Sequence, residues 1–232
     1  MRLDKYICDC TTLSRSDAKK QIKSGLVFIN GEVCKKAETN IKENDKVTLG
    51  SKELSYRKYV YLMLNKPAGY VSATEDRDHK CVTDLVGEEY AQYDLFPAGR
   101  LDIDTEGLVI LTNDGDFAHK ITSPKKDVYK TYFARLSKAA EEADIKAFAD
   151  GVEFKDFTAK NAVLEILDNP QEVIIKISEG KFHQVKRMCE KVGKTVVYLK
   201  RLAIGDLKLD ESLALGEYRE LSEEEIAKLK GV

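Results

Sequence analysis

Apolar positions change their period twice within the first fifty residues. Leu3 and Ile7 are four apart, one face of a short helix, and Ala18 and Ile22 repeat that spacing in a second. Ser14 is placed to cap the second helix, with Asp17 at its third position and Gly25 just past its end. Leu26-Val27-Phe28-Ile29 then predicts a strand, Asn30-Gly31 a tight hairpin turn, and Glu32-Val33-Cys34 the return. A later strand, Lys46 to Leu49, ends at Gly50, and Gly50 to Lys58 is polar and aperiodic, which reads as a linker.

Beyond residue 59 the pattern alternates between strand and helix. Val60 to Leu64 predicts a strand closed by the turn Asn65-Lys66-Pro67-Ala68-Gly69, and Thr74 to Lys80 predicts a charged surface loop. The run Gly107 to Thr112 is continuously apolar, as a buried strand is. Asn113-Asp114-Gly115 reads as a turn and Asp116 to Thr122 as a helix stopped before Pro124. Val128 to Leu136 alternates as a strand, and Ser137 is placed to cap a helix that runs to Asp150 and ends at Gly151. Further strands are predicted around Val152–Phe154, Ala162–Leu167 and Glu172–Ile177. Phe182, Val185, Cys189 and Val192 follow helical spacing, so a helix is expected to begin near Lys181. Ser222 to Glu225 has the pattern of a capping box, which opens a terminal helix.

Charge and cysteine usage narrow the class. Of 232 residues, 43% are hydrophobic, enough for a sizeable core. The formal net charge of −2 does not mark the whole chain as a basic nucleic-acid binder. Residues 1–55, however, carry 11 Lys and Arg against 8 Asp and Glu, a net of +3, and the remainder 27 against 32, a net of −5. That asymmetry points to an N-terminal module that prefers polyanions. The five cysteines, Cys8, Cys10, Cys34, Cys81 and Cys189, are odd in number and unpaired in spacing, which predicts reduced thiols and no zinc or other metal site. The first residues have no apolar signal core, and no apolar run approaches the ~20 residues of a membrane span. A cytoplasmic protein without a membrane contact is expected.

Candidate chemistry concentrates in three places. Arg100, Asp102, Asp104 and Glu106 cluster on a loop before the buried strand, bracketed by Gly99 and Gly107. Spacing alone does not choose between Asp102 and Asp104. The second N-terminal helix carries Arg15, Lys19, Lys20 and Lys23 outward, a face that can hold phosphates by counterion release. Lys181, His183, Gln184, Lys186 and Arg187 crowd the start of the predicted helix near residue 181, and a helix start is a natural anion site. No Gly-rich dinucleotide loop or Walker loop is present.

Three of these stretches carry a resemblance. Gly99-Arg100-Leu101-Asp102, with Asp104-Thr105-Glu106-Gly107-Leu108 and Leu111-Thr112-Asn113-Asp114-Gly115, resembles the signature of pseudouridine synthases of the ribosomal small subunit pseudouridine synthase A type. Leu64-Asn65-Lys66-Pro67-Ala68-Gly69-Tyr70-Val71 and Glu179-Gly180-Lys181-Phe182-His183-Gln184-Val185-Lys186-Arg187-Met188 resemble two further motifs of that family. Arg2-Leu3-Asp4-Lys5-Tyr6, Ser14-Arg15-Ser16-Asp17-Ala18 and Gly25-Leu26-Val27-Phe28-Ile29-Asn30-Gly31 resemble the S4 RNA-binding domain. The resemblance implies an α+β chain: an S4-like module over residues 1–55, then a synthase domain over 59–232 built on a mixed, mostly antiparallel sheet with flanking helices.

It further implies Asp102 as the catalytic aspartate, Tyr132 of Lys130-Thr131-Tyr132 as the active-site tyrosine, and Lys186 as the basic partner of Asp102 where many relatives carry arginine. Arg2, Arg15, Lys19 and Lys23 become candidate phosphate contacts, and Arg100, His183, Gln184 and Arg187 candidate RNA contacts. The implied partner is ribosomal RNA, 16S rRNA first, with a monomeric enzyme and no cofactor. Three other readings compete. The same chemistry on large-subunit rRNA is the nearest; a non-catalytic ribosome-assembly factor does not account for Asp102, Tyr132 and Lys186 together. A glycosidase using Asp102 and Asp104 does not account for the RNA module.

Overall fold

The computed structural model describes residues 1–123 and 126–231. These divide into two compact units: Met1–Val60 with Gly87–Asp94, and Tyr61–Val86 with the chain from Leu95 onward. Pro124, expected to stop a helix, lies outside the described residues.

In the first unit, α1 (Leu3–Cys10) and α2 (Arg15–Lys23) pack beside a four-stranded antiparallel sheet of order β2 (Glu32–Val33), β1 (Val27–Ile29), β3 (Val47–Leu49), β4 (Lys52–Leu54). Leu3, Ile7, Ala18, Ile22, Val27, Val47 and Leu54 form its core. Ser14 caps α2 as its sequence predicts, accepting from the Asp17 amide at 3.2 Å. The expected linker is partly wrong: Lys52–Leu54 forms β4 on β3, because the left-handed Gly50 reverses the chain and brings Leu54 into the core.

The second unit is built on a nine-stranded sheet. Its strands are β5 (Tyr61–Lys66), β8 (Phe96–Pro97), β9 (Glu106–Thr112), β10 (Lys130–Leu136), β11 (Val163–Ile166), β12 (Glu172–Ile177), β13 (Val196–Ile204), β14 (Leu207–Lys208) and β15 (Tyr218–Glu220). The main order is β11-β12-β10-β13-β9-β5-β15, with β14 on β13 and β8 on β9; only β13 and β9 run parallel within it. A short parallel pair, β6 (Tyr70–Val71) and β7 (Lys80–Cys81), stands apart. The helices are α3 (Gly115–Thr122), α4 (Glu142–Asp150), α5 (Gln184–Lys191) and α6 (Glu223–Lys230). Leu108 to Leu111 are fully buried, which explains the unbroken apolar run of β9: both of its faces are covered. The capping box at Ser222 and Glu225 opens α6.

Several local expectations fail for physical reasons. Ser137 does not cap α4; its hydroxyl accepts from the Thr195 amide, and the helix starts at Glu142 behind Glu141. Val152–Phe154 makes only an isolated bridge, Glu153 with Thr158. The helix expected near Lys181 begins at Gln184, and Phe182, the first residue of that apolar spacing, lies before it and is exposed. The nine-residue β13 has no predicted counterpart, since Lys200 and Arg201 interrupt its apolar pattern.

Candidate active site

The loop that carries Asp102 is fixed through its main chain. Ser72 Oγ accepts from the Leu101 amide at 3.0 Å and donates to the Leu101 carbonyl at 3.1 Å. The Gly69 amide donates to the Ile103 carbonyl at 2.7 Å, and the Thr105 amide to that of Asp102 at 3.1 Å. Beneath them lies Lys66, wholly buried at the end of β5. Its ammonium donates to the carbonyls of Thr105 (2.8 Å), Asp102 (3.1 Å), Pro67 (3.1 Å) and Ile103 (3.3 Å). The cation supplies a donor to the Thr105 and Pro67 carbonyls and a second donor to those of Asp102 and Ile103, which already accept from backbone amides. Burial pushes the Lys66 ammonium down to about 8, against the nearby charges of Asp104, Asp102 and Glu106.

Above the loop, α5 supplies the positive charge. Lys186 Nζ is 3.2 Å from Asp102 Oδ2 and 2.6 Å from Asp104 Oδ1, so the lysine bridges both carboxylates. His183 Nε2 is 3.7 Å from Asp102 Oδ1. The Asp102 side chain is 26% exposed against 66% for Asp104, which leaves Asp102 the more sheltered of the two. Burial opposes charge on Lys186, but hydrogen bonds and attraction from Asp104 and Asp102 outweigh it and raise its pKa. Burial likewise pushes Asp104 up, and Lys186 outweighs it, so Asp104 titrates below the ordinary carboxylate value.

One rung of the sheet passes beneath the end of this loop. Tyr132 on β10 pairs with Arg201 on β13, Arg201 with Gly107 on β9, and Gly107 with Lys66 on β5. Gly107 has φ +102°, and a Cβ there would run into the Arg201 carbonyl oxygen, so only glycine lets the parallel strands meet. Arg201 is 4% exposed; its Nε donates to the Leu108 carbonyl at 2.8 Å, while Nη2 is buried without a partner among the described residues.

The family model for RNA pseudouridylate synthase matches residues 60–191, and that for the S4 domain matches residues 1–47. Over 231 residues the chain is 45% identical to ribosomal small subunit pseudouridine synthase A of Escherichia coli, covering 98% of this chain and 99% of the relative. The chain belongs to the RNA pseudouridylate synthase family. It is also 44% identical over 231 residues to an uncharacterised RNA pseudouridine synthase of Bacillus subtilis, covering 97% of each. A solved pseudouridylate synthase aligns with a TM-score of 0.70 at 43% identity, over 99% of both chains. This protein is therefore an enzyme of the isomerase class that acts on RNA, with an S4 domain preceding its synthase domain.

The synthase brings Asp102, Lys186 and His183 into direct reach and sets Tyr132 on the rung that ends at the same loop. Arg100 is exposed at the start of the loop. Gln184 is turned inward: its side-chain amide donates to Glu179 Oε1 at 2.8 Å and its oxygen accepts from the Lys181 amide at 2.9 Å. Arg187 forks onto Asp156 at 2.6 and 3.1 Å. In the S4 unit, Arg2 forks onto the buried Asp4 at 3.0 and 3.1 Å, which with the nearby Arg15 holds that carboxyl below its ordinary value. Lys19 and Lys23 are exposed on α2. Sequence reasoning misses Lys66 and Arg201; the signal for Lys66 is its place inside a motif that reads only as a turn. Among the described residues no cluster of His, Cys, Asp and Glu gathers as a metal site, and no helix is long and apolar enough to cross a membrane.

Proposed function

We propose that this synthase converts a uridine of small-subunit (16S) ribosomal RNA to pseudouridine, with Asp102 as nucleophile and Lys186 and Tyr132 as its partners in the site. The observation that carries the reading is the Asp102 carboxylate 3.2 Å from the Lys186 ammonium, on a loop tied down by the carbonyl contacts of Lys66. The small-subunit target rests on the near full-length likeness to ribosomal small subunit pseudouridine synthase A. The target base leaves its stack before reaction. Asp102 assists cleavage of the C1′–N1 bond, the uracil turns, and C5 joins C1′ as N1 gains a proton and C5 loses its own. Nothing is oxidised or transferred away, so the reading calls for no cofactor. Tyr132 flanks the uracil, and Arg100, His183, Gln184 and Arg187 line or support the RNA path. Residues 1–55 serve as the RNA anchor and 59–232 as the catalytic domain of a cytoplasmic monomer, with Arg2, Arg15, Lys19 and Lys23 on the anchor.

The test is tritium release from C5-labelled uridine in small-subunit RNA. Asp102→Asn removes the charge at constant size and is expected to cut release roughly 10⁴-fold while RNA binding persists. Asp104→Asn breaks only the more exposed arm of the Lys186 bridge and is expected to stay within about tenfold of wild type, as removal of an exposed ion pair does. Wild-type release by Asp102→Asn refutes the nucleophile. Free uracil in place of pseudouridine refutes the reaction, and release only from large-subunit RNA refutes the target.

A further inference from the structure

The turn between β12 and α5 displays an apolar residue that the helical spacing of the sequence includes but the helix does not. Phe182 is 76% exposed. A single exposed phenylalanine needs no explanation by itself. This one stands on a locked turn beside the reacting carboxylate. The Gln184 amide donates to the Lys181 carbonyl at 3.1 Å, which makes Phe182 and His183 the two corner residues. His183 takes the left-handed conformation, φ 50° and ψ 30°. Gln184, buried on Glu179, also ties back the Lys181 amide, so the turn is fixed on both sides. The rings of Phe182 and His183 stack with centroids 3.7 Å apart and planes 20° from parallel. His183 in turn reaches Asp102 at 3.7 Å. Two cationic side chains flank them: Lys181 is exposed and lies over the Phe157 ring, and Arg187, paired with Asp156, lies over Phe154 and Phe157.

A flat ring already stacked on one side, open on the other and flanked by cations is the arrangement that holds an unpaired base of a polyanion. We propose that Phe182 is a base-stacking residue: an unpaired base of the RNA beside the target uridine packs on its open side and extends the Phe182–His183 stack. The inference deepens the reading of Asp102 as the reacting group, on which it rests for the position of the target. Because the turn is rigid before RNA arrives, little ordering entropy opposes the stack.

The experiment measures binding and reaction separately on the full chain, with transcribed small-subunit ribosomal RNA carrying C5-tritiated uridine. Phe182→Ala and Phe182→Leu are expected to weaken RNA binding roughly tenfold or more, and Phe182→Trp to bind as wild type, since stacking needs a π-face. The salt dependence of binding is expected to stay unchanged in all three, because no charge is altered. Wild-type affinity in Phe182→Ala overturns the proposal, and so does a leucine variant as good as phenylalanine. Phe182-dependent binding by an enzyme that releases no tritium supports the stack and refutes small-subunit RNA as the substrate. Tritium release by wild type with binding indifferent to Phe182 refutes the stack alone.

Discussion

At the scale of single residues, the side chain that most constrains the site is one that never reaches solvent. Lys66 donates to four carbonyls of the Asp102 loop and its own turn, and desolvation brings its pKa down to about 8. The unfolded chain keeps a lysine near about 10.4. Between those values the unfolded state binds more protons, so stability rises with pH through this window; below about 8 the cost of the buried charge is constant. The integrated difference is about 3 kcal/mol. Lys130 is brought down to about 8 by burial as well, so the readout is a comparison. Urea unfolding at pH 7 and pH 10 is expected to show wild type gaining stability relative to Lys66→Met. Parallel pH dependences would show that Lys66 is not the depressed group. Such a role is hard to read from sequence, where a lysine before proline looks like a solvated turn. Its burial comes from strand partners that are distant in the chain. Asp102 and Lys186, by contrast, are legible through their motifs, and they meet although 84 positions separate their numbers.

Among elements, the decisive joint is the parallel pairing of β9 and β13. From sequence, Gly107 is no more than a bracket of the charged loop; its partner strand stays hidden because Lys200 and Arg201 break an otherwise apolar run. The strands and helices with regular patterns, β9, β12, α2 and α6, are visible within a residue or two. The start of α5 differs from its expected place because Phe182 mimics an inward helical position while serving as a turn corner. Gly107→Ala combines a forbidden left-handed φ with a collision on the Arg201 carbonyl. Gly193→Ala, at φ +77° with open space around it, carries the conformational cost alone. Denaturant midpoints are expected to place Gly193→Ala about 1–2 kcal/mol below wild type and Gly107→Ala well beyond that, or unfolded. Equal destabilisation of the two variants would mean that β13 shifts to make room.

For the molecule as a whole, the net charge of −2 hides a division of labour that the count of basic residues in the first 55 positions already suggests. An S4 domain that anchors RNA should do so through charges not already committed to the fold. Arg2 and Arg15 both lean on the buried Asp4, so removing either one mixes RNA binding with the stability of that carboxylate. Lys20 is paired with Asp17 at 2.9 Å. Lys19 and Lys23 are exposed on the same helix and offer the cleaner test. In the full chain, Lys19→Ala with Lys23→Ala is expected to weaken binding to ribosomal RNA. The plot of log affinity against log salt is expected to flatten by about 0.7–0.9 for each phosphate that the helix no longer neutralises. The rate of tritium release at saturating RNA is expected to hold, because the reacting groups lie in the synthase domain and binding energy from the anchor acts through effective concentration. An unchanged salt slope would mean that α2 is not the RNA-facing surface. A fall in the saturated rate with affinity intact would mean that the anchor orients the target rather than merely holding it.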